Sequence, residues 1–443
     1  MRTRTACARL IVAVSWLALA VVHASGQAAA TRDVRQLGRA FVDLLARGQF
    51  AEAARSFDET MTRLVPPAQL EQFWASLAGS SGAFKERDGA RRDRVGEYER
   101  AFVTCRFERA DLDLLVVFDR AGRITGLFVH PGYAVPAYAD VRLFHQREVT
   151  IGDFPSPLPG TLTSPADCSR CPAVVLVHGS GPNDRDESLG PNKPFRDLAL
   201  GLASRGIAVL QYDKRSYAHP GEVAALKTIT VKQEVIDDAV AAVALLRKTR
   251  GVAADRVFLL GHSLGAALAP RIVREDSGIA GLILLAGPTR PLEDSFVEQQ
   301  RYLASLNGQP TEQQKAQIDN VRAQAERVKT LKDSDELSTE MLLHAPPSYW
   351  LDLRGNPPTE IAKGLKQPML VLQGERDYQV TMADFTGWRE ALASKRNVTF
   401  KSYPALNHLF IEGTGKSRPA EYEQIGHVSE IVIDDIAAWI KKQ

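Results

Sequence analysis

A serine between two glycines is the residue in this sequence best suited to nucleophilic chemistry. The segment Gly261-His262-Ser263-Leu264-Gly265 matches G-x-S-x-G, in which glycines permit a sharp turn because they lack Cβ. The bare pattern arises by chance roughly 0.15 times in a chain of this length. Its context supports it, because the apolar run 257–260 predicts a buried strand and the Ala/Leu-rich run that follows predicts a helix. The turn would expose the Ser263 hydroxyl, and the Leu264 N–H would face a developing oxyanion.

A serine hydroxyl needs a base in contact with it, and an imidazole held by a carboxylate provides one near neutral pH. In a sheet with this kind of turn the order is serine, acid, histidine, each after its own strand. Asp377 follows the predicted strand 368–373, and His408 follows the predicted strand 398–403. We therefore predict Ser263, Asp377 and His408 as the catalytic residues. Weaker candidates, in less suitable positions, are Glu375, Asp384 and His427.

A second donor for the oxyanion is expected in the loop after the apolar run 173–177, which predicts a buried parallel strand. The loop begins His178-Gly179-Ser180-Gly181, and the Ser180 backbone N–H is our prediction, with Gly181 as the second choice. The charged run 184–187 in the same loop either touches substrate or forms a solvated or locally salt-bridged cluster. We favour the second interpretation, because such charge runs are usually structural.

Strands and helices alternate from residue 140 to residue 443, which predicts an α/β fold with a doubly wound, mainly parallel sheet. Residues 290–363 interrupt the alternation with polar, charged helices, most simply a helical cap over the carboxyl edge of the sheet. Residues 346–350 indicate a looser part of this cap. Tyr349 and Trp350 either line an acyl pocket or pack the cap on the body, and both interpretations stay open.

Residues 31–132 predict a small α+β domain ahead of that region. Helical spacing covers 34–45, 51–64 and 68–77, and a period of two then indicates four strands. The sequence of this part contains no recognisable nucleophile–base pair or metal-ligand cluster. We interpret it as a curved sheet covered by helices that serves association or substrate positioning.

The first 30 residues predict a cleavable signal peptide, and hence a periplasmic or secreted protein. Three arginines precede the apolar run 10–22, which is short for a membrane span, and small residues follow it. Removal of these arginines takes the formal charge from +2 to −1, which gives no net basic charge for binding nucleic acid. No other stretch of the sequence is long and apolar enough to cross a membrane.

Three cysteines follow the leader segment. Cys168 and Cys171 form one C-x-x-C, which is poor support for zinc because a structural zinc site needs four ligands. In an exported chain we prefer a local disulfide between them. Cys105 would then be unpaired and buried in a strand.

From about residue 140 onward the chain resembles the α/β-hydrolase superfamily. The resemblance rests on four motifs: His178-Gly-Ser-Gly-Pro-Asn-Asp-Arg-Asp186, Gly261-His-Ser-Leu-Gly265, Gly374-Glu-Arg-Asp-Tyr-Gln-Val380 and Asn407-His408-Leu-Phe410. More narrowly, it is similar to bacterial esterases grouped with S33-type, serine-aminopeptidase-like hydrolases, some of which carry an N-terminal cystatin-like domain. The resemblance implies a carboxylester hydrolase with roles at Ser263, His408 and Asp377. Pro270, seven residues after the serine, is a departure that is expected to bend the following helix.

Together these features predict a serine hydrolase that cleaves small-molecule carboxylic esters, with short to medium acyl chains, through an acyl-enzyme. No metal or organic cofactor is required by this chemistry. A serine aminopeptidase or a thioesterase of the same fold is an alternative. A non-catalytic binding protein is an alternative of another class, against which the intact set of serine, aspartate and histidine argues.

Overall fold

The computed structural model describes residues 33–95, 98–152 and 156–443, so the predicted signal peptide lies outside the described residues. The first of two sheets is antiparallel, with the order β1-β2-β3-β4. Its strands are β1 (Phe84–Val95), β2 (Tyr98–Phe107), β3 (Asp111–Phe118) and β4 (Ile124–Pro131). Among the described residues, the α-helices that precede it are α1 (Val34–Ala46), α2 (Phe50–Ala53), α3 (Glu59–Leu64) and α4 (Pro67–Ser81).

Helix α1 packs closely on this sheet because Gly38 has no side chain. A Cβ at Gly38 would lie 2.9 Å from the Ala101 Cβ on β2. The predicted single helix over 51–64 is wrong, because the chain leaves the helix between α2 and α3. Phe57 forms a β-bridge with Ile124 at the start of β4, and Asp58 caps α3 by accepting the Met61 N–H at 2.7 Å.

The second sheet has eight strands in the order β12-β11-β10-β9-β7-β8-β6-β5. They are β5 (Phe144–Ile151), β6 (Leu158–Pro165), β7 (Cys171–Val177), β8 (Ala208–Tyr212), β9 (Val252–His262), β10 (Leu282–Leu285), β11 (Met369–Gly374) and β12 (Val398–Tyr403). Strands β7 to β12 run parallel to one another, whereas β5 and β6 form an antiparallel edge. The predicted mainly parallel sheet is therefore confirmed.

Helices cover both faces of this sheet, which is why its central strands are apolar throughout. The helices of this part are α5 (Pro194–Ala203), α6 (Arg215–Ala218), α7 (Pro220–Ala225), α8 (Asp237–Lys248), α9 (Leu264–Glu275), α10 (Leu292–Ser305), α11 (Glu312–Lys329), α12 (Pro347–Arg354), α13 (Pro358–Gly364), α14 (Met382–Ala391) and α15 (Glu430–Lys442). A π-helical turn, Lys232–Ile236, leads into α8. Pro270 lies inside α9, which continues past it.

Helices α10 to α13 lie between β10 and β11 in the chain, within the region where the sequence predicts a cap. Helices α10, α11 and α12 share a small apolar core that includes Val297, Val321 and Trp350, whereas Ala362 of α13 belongs to the core of the main sheet. The expectation of a loose segment at 346–350 is wrong, because Pro347 begins α12. Proline suits the first helical position, where the missing N–H would have no partner within the helix.

Two carboxylates, one of them fully buried, anchor the cap to the body. Asp384, which is fully buried, accepts the Thr289 and Arg290 N–H groups at 3.0 and 3.1 Å and pairs with the Arg290 guanidinium at 2.6 Å. Asp352 of α12 pairs with Arg271 of α9 at 2.8 Å and accepts the Lys232 N–H at 3.1 Å. Both ends of the cap are thus held by charge-assisted contacts.

Cys168 and Cys171 form a disulfide, and Cys105 is unpaired and buried in β2. In residues 33–95, 98–152 and 156–443, no helix has the length and apolar character needed to cross a membrane.

Candidate active site

Ser263 lies at the junction of β9 and α9 in a strained backbone conformation, with φ 53° and ψ −121°. The flanking glycines make this turn possible. A Cβ at Gly261 would lie 2.3 Å from the Gly265 carbonyl oxygen, and a Cβ at Gly265 would lie 2.2 Å from the Val177 carbonyl oxygen. No larger residue fits at either position, so the strand, the turn and the helix approach one another only with this sequence.

Asp377 and His408 meet after the ends of the neighbouring strands β11 and β12. His408 Nδ1 lies 2.6 Å from Asp377 Oδ2, and both side chains are buried. The other carboxylate oxygen, Oδ1, accepts the N–H groups of Gln379 at 2.8 Å and Val380 at 3.0 Å. Because an ionised carboxylate only accepts hydrogen bonds, Nδ1 carries the proton and Nε2 is left as the basic atom. Glu375, the rival acid, is exposed and accepts the Ser402 hydroxyl.

His262 connects His408 to the serine turn. Its Nε2 donates to the His408 carbonyl oxygen at 2.9 Å, and the centroids of the two rings are 4.6 Å apart. His262 directly precedes Ser263, so this contact brings the His408 segment to the turn. Among the described residues, no hydrogen bond joins Ser263 Oγ to His408 Nε2. Bonds of this kind often form with good geometry only when substrate is present.

The loop after β7 contacts the serine turn through Gly179. The Cβ position of Gly179 lies 3.1 Å from Ser263 Cβ. The Gly179 N–H is already used, since it donates to Glu187 Oε1 at 2.5 Å. In the described part of the chain the N–H groups of Ser180 and Gly181 have no acceptor, which leaves them available to a substrate oxygen.

Glu187 and His262 form a buried ion pair beneath this loop, with Oε2 and Nδ1 2.8 Å apart. Burial alone would raise the pKa of the Glu187 carboxyl, but the His262 imidazole and the Gly179 N–H hold it below its usual range. Burial would likewise lower the pKa of His262, but the Glu187 carboxylate raises it above its usual value. Arg185 of the same charged run is also paired: its Nη1 lies 2.6 Å from Glu148 Oε2, and its Nε lies 3.1 Å from Asp213 Oδ1. The salt-bridged interpretation of 184–187 fits these contacts.

Lys214, which sequence reasoning missed, lies buried behind the Gly179–Gly181 loop. Its Nζ donates to the carbonyl oxygens of Gly179 and Gly181, both at 3.0 Å. Asn183 Nδ2 also donates to the Gly179 and Ser180 carbonyl oxygens, at 3.2 and 3.1 Å. In a trans peptide unit the C=O and N–H point in opposite directions. Fixing the Gly179 carbonyl therefore turns the Ser180 N–H away from Lys214, and fixing the Ser180 carbonyl turns the Gly181 N–H away from Asn183.

A buried carboxylate links Lys214 to the cap. Glu234 Oε2 lies 3.5 Å from Lys214 Nζ and accepts the Tyr349 hydroxyl of α12 at 3.0 Å. Trp350 is buried in the cap, where its Nε1 donates to the Leu342 carbonyl oxygen at 2.9 Å. These contacts favour the packing interpretation of Tyr349 and Trp350. No pattern in the sequence could have identified the Lys214–Glu234 pair, because the two residues come from different elements.

Comparison with known proteins identifies the group to which this site belongs. Residues 171–414 match the family described as "Serine aminopeptidase, S33", and residues 39–127 match a family described as a protein of unknown function, DUF3887. Esterase EstD of Thermotoga maritima is 40% identical over 406 residues, which cover 91% of this chain and 94% of that protein. The chain belongs to the S33 serine aminopeptidase family.

Solved structures resemble this S33 family member more distantly. A protein of Bacteroides ovatus described as a dipeptidyl aminopeptidase IV is 13% identical, with a TM-score of 0.47, over 81% of this chain and 44% of that one. An esterase of Pyrococcus furiosus is 19% identical, with a TM-score of 0.42, over 71% of this chain and 97% of that one. These similarities are too low to carry a functional argument.

The family match covers Ser263, Asp377 and His408. Together with the sheet order, membership of the S33 family confirms the predicted α/β-hydrolase fold. The match to DUF3887 falls on the helices and strands of the first sheet. In the described part of this S33 protein, no three His, Cys, Asp or Glu side chains are grouped to hold a metal ion.

Proposed function

We propose that the protein is an exported serine esterase that cleaves carboxylic esters of short to medium acyl chain length through an acyl-enzyme. The observation that carries this proposal is the 2.6 Å contact between Asp377 and His408 beside the strained Ser263 turn. The 40% identity to Esterase EstD, over most of both chains, supports an ester as the substrate. The reaction needs no metal or organic cofactor.

In the first step Ser263 Oγ attacks the ester carbonyl carbon while His408 Nε2 takes the hydroxyl proton. Asp377 stabilises the imidazolium that forms. The tetrahedral intermediate collapses as His408 gives the proton to the leaving alcohol oxygen, and the alcohol departs. Water then repeats the sequence on the acyl-enzyme, which releases the carboxylic acid and restores the Ser263 hydroxyl.

The oxyanion of each tetrahedral intermediate is proposed to accept hydrogen bonds from the backbone N–H groups of Leu264 and Ser180. Leu264 is the first residue of α9, so its N–H has no partner within the helix. The Ser180 N–H points away from the Lys214 side of its loop, as the hydrogen bonds of the Gly179 carbonyl require. Each donor of this kind contributes about 10²- to 10³-fold to kcat.

The test is Ser263→Ala, assayed with p-nitrophenyl butyrate and with a fluorophosphonate probe that labels activated serines. We expect kcat to fall by on the order of 10⁴ or more and labelling to disappear, with no loss of folded protein. Ser295→Ala, which removes another buried serine hydroxyl in α10, is the matched control and should keep both signals. Wild-type labelling in Ser263→Ala would refute the assignment, and an unlabelled, inactive wild-type protein would favour the non-catalytic alternative.

One contact favours an esterase over an aminopeptidase of the same family. Glu187, an acid beside the site, is paired with His262 and accepts the Gly179 N–H, so it is not free to bind a substrate ammonium group. We therefore expect turnover of acyl p-nitrophenyl esters and little turnover of aminoacyl p-nitroanilides. The reverse preference would establish the peptidase, and a preference for acyl thioesters would establish the thioesterase.

Export is proposed from the sequence of residues 1–30. Expression of the full chain in a Gram-negative host should yield periplasmic or secreted protein, and mass spectrometry should find a mature N-terminus near residue 30. An intact N-terminus in the cytoplasmic fraction would refute this part of the proposal without affecting the esterase.

A further inference from the structure

A cleft of about 620 Å³ lies between the four-stranded sheet and the hydrolase region, residues 140–443, and its lining includes none of Ser263, Asp377 and His408. Side chains of α1, β1 and β2 form one wall, and side chains of β5, α5 and the 184–186 loop form the other. Eight cationic and five acidic side chains line it. The cations central to the inference are Arg39, Arg91, Arg106, Arg147, Lys193 and Arg196.

Two of the five acids of the cleft are engaged by one cation. Arg185 pairs with both Glu148 and Asp213, so two carboxylates are satisfied by a single guanidinium. Within the described residues, Arg39, Arg147 and Arg196 make no ion pair. The charges of these three guanidinium groups are therefore not neutralised by a paired carboxylate.

Two of these guanidinium groups are held by aromatic rings. The Arg91 guanidinium carbon lies 3.6 Å from the centroid of the Phe102 ring, and that of Arg196 lies 4.5 Å from the Tyr133 ring. Stacking on a ring fixes the plane of a guanidinium while its edge, which carries the N–H donors, stays available. This arrangement suits recognition of an oxyanion, which accepts paired N–H donors.

Arg91 is the residue whose donors most need a partner. It is 8% exposed, yet its Nε and Nη2 have no hydrogen-bond acceptor in the described structure. The nearest carboxylate oxygen of its ion-pair partner, Asp113, is 3.6 Å away, and the other oxygen accepts the Thr104 hydroxyl at 2.6 Å. The Nε of Arg39, on the same wall, is also buried without an acceptor. Buried charged donors without acceptors are costly, so a site for an acceptor is indicated.

We propose that this cleft binds a small, multiply charged oxyanion, of the phosphate or polycarboxylate type, between Arg39 and Arg91 on one side and Arg147 and Arg196 on the other. The bound anion supplies acceptors for the buried Arg91 donors and neutralises the excess charge. Because its contacts come from both walls, it also joins the first sheet to the hydrolase region. The site is independent of the proposed hydrolysis.

The experiment is isothermal titration calorimetry of the full mature protein at low ionic strength, with inorganic phosphate and citrate as separate probes. We expect a Kd below about 1 mM for at least one probe. Arg196→Gln should weaken binding about tenfold or more without disturbing a strand, and Arg91→Met should abolish it. Arg322→Gln makes the same charge change on the surface of α11 and is the matched control, expected to bind like wild type.

Each outcome decides the proposal. Binding of phosphate alone assigns the phosphoryl class, and binding of citrate alone assigns the polycarboxylate class. Failure of both probes to bind wild type overturns the proposal, and so does an equal loss in Arg322→Gln, which would indicate a general charge effect. Arg196→Gln is expected to fold like wild type. If this variant still binds the anion as wild type does, the proposal is overturned, even if Arg91→Met does not fold. Ser263→Ala should bind the anion unchanged, so a failure of the esterase proposal would be seen separately.

Discussion

Replacing Lys214 by methionine should separate the positioning of the oxyanion loop from the stability of the protein. The substitution keeps most of the apolar stem and removes the ammonium group that holds the Gly179 and Gly181 carbonyl oxygens at 3.0 Å. It also leaves Glu234 as a buried carboxylate whose remaining partner is the Tyr349 hydroxyl. The first effect acts on the proposed catalysis, and the second acts on folding.

The catalytic effect can be bounded from known oxyanion donors. Complete loss of one donor lowers kcat by about 10²- to 10³-fold. Asn183 still holds the Gly179 and Ser180 carbonyls in the variant, at 3.2 and 3.1 Å in the wild type, so the Ser180 N–H is loosened rather than lost. We therefore expect kcat for p-nitrophenyl butyrate to fall about 10- to 100-fold, with KM changed by less than about threefold, because the donors act mainly in the transition state.

The stability effect is expected to be of similar size in energy but of different origin. Leaving the buried Glu234 carboxylate without its cation should lower the unfolding free energy by about 3 kcal/mol or more, measured by urea denaturation. The double variant Lys214→Met/Glu234→Gln removes the unpaired carboxylate, so it should regain much of that stability while kcat stays low. Lys193→Met is the matched control, since this buried lysine lies 4.0 Å from Asp186 rather than on the loop carbonyls. If kcat recovered with stability in the double variant, Lys214 would be structural only and the reasoning would be refuted.

Two further predictions concern the site and its pH dependence. Asp377→Asn should lower kcat by about 10⁴-fold, because the amide holds the wrong tautomer of His408, whereas Glu375→Gln, with its exposed carboxyl, should leave kcat unchanged in the same ester assay. Burial lowers the pKa of His178 to about 4 from an ordinary 6.5, so its neutral form stabilises the fold above pH 6.5 and that contribution is lost as pH falls toward 4. Between pH 7 and pH 5, the unfolding free energy measured by urea denaturation should fall by about 2 kcal/mol more in wild type than in His178→Asn. Equal losses of unfolding free energy in the two proteins would contradict the lowered pKa of His178.

Much of the site followed from short-range patterns. The strained turn at Ser263 is encoded locally, because Gly261 and Gly265 are the residues that its close contacts demand. The meeting of Asp377 and His408 also follows from the sequence, since the carboxyl ends of adjacent parallel strands lie at one edge of a sheet. Position after a strand distinguished these residues from chemically similar neighbours.

The features that escaped prediction depend on contacts distant in sequence. The charged run that contains Glu187 is interpreted from the sequence as a solvated or salt-bridged cluster, and Lys214 is not singled out, yet both side chains are buried against the loop after β7. The break after α2 arises because Phe57 pairs with Ile124, far along the chain. Periodicity reports which face of an element is apolar, but not which buried charge will find a partner on another element.

The two anchors of the cap have a kinetic consequence. Opening the cap as a rigid unit would separate Arg290 from Asp384 and Arg271 from Asp352. Because Arg271 belongs to α9, the helix that directly follows Ser263, such an opening would also disturb the turn itself. The cap is therefore expected to stay on the body during turnover, because both ion pairs would have to break before it could move as a unit.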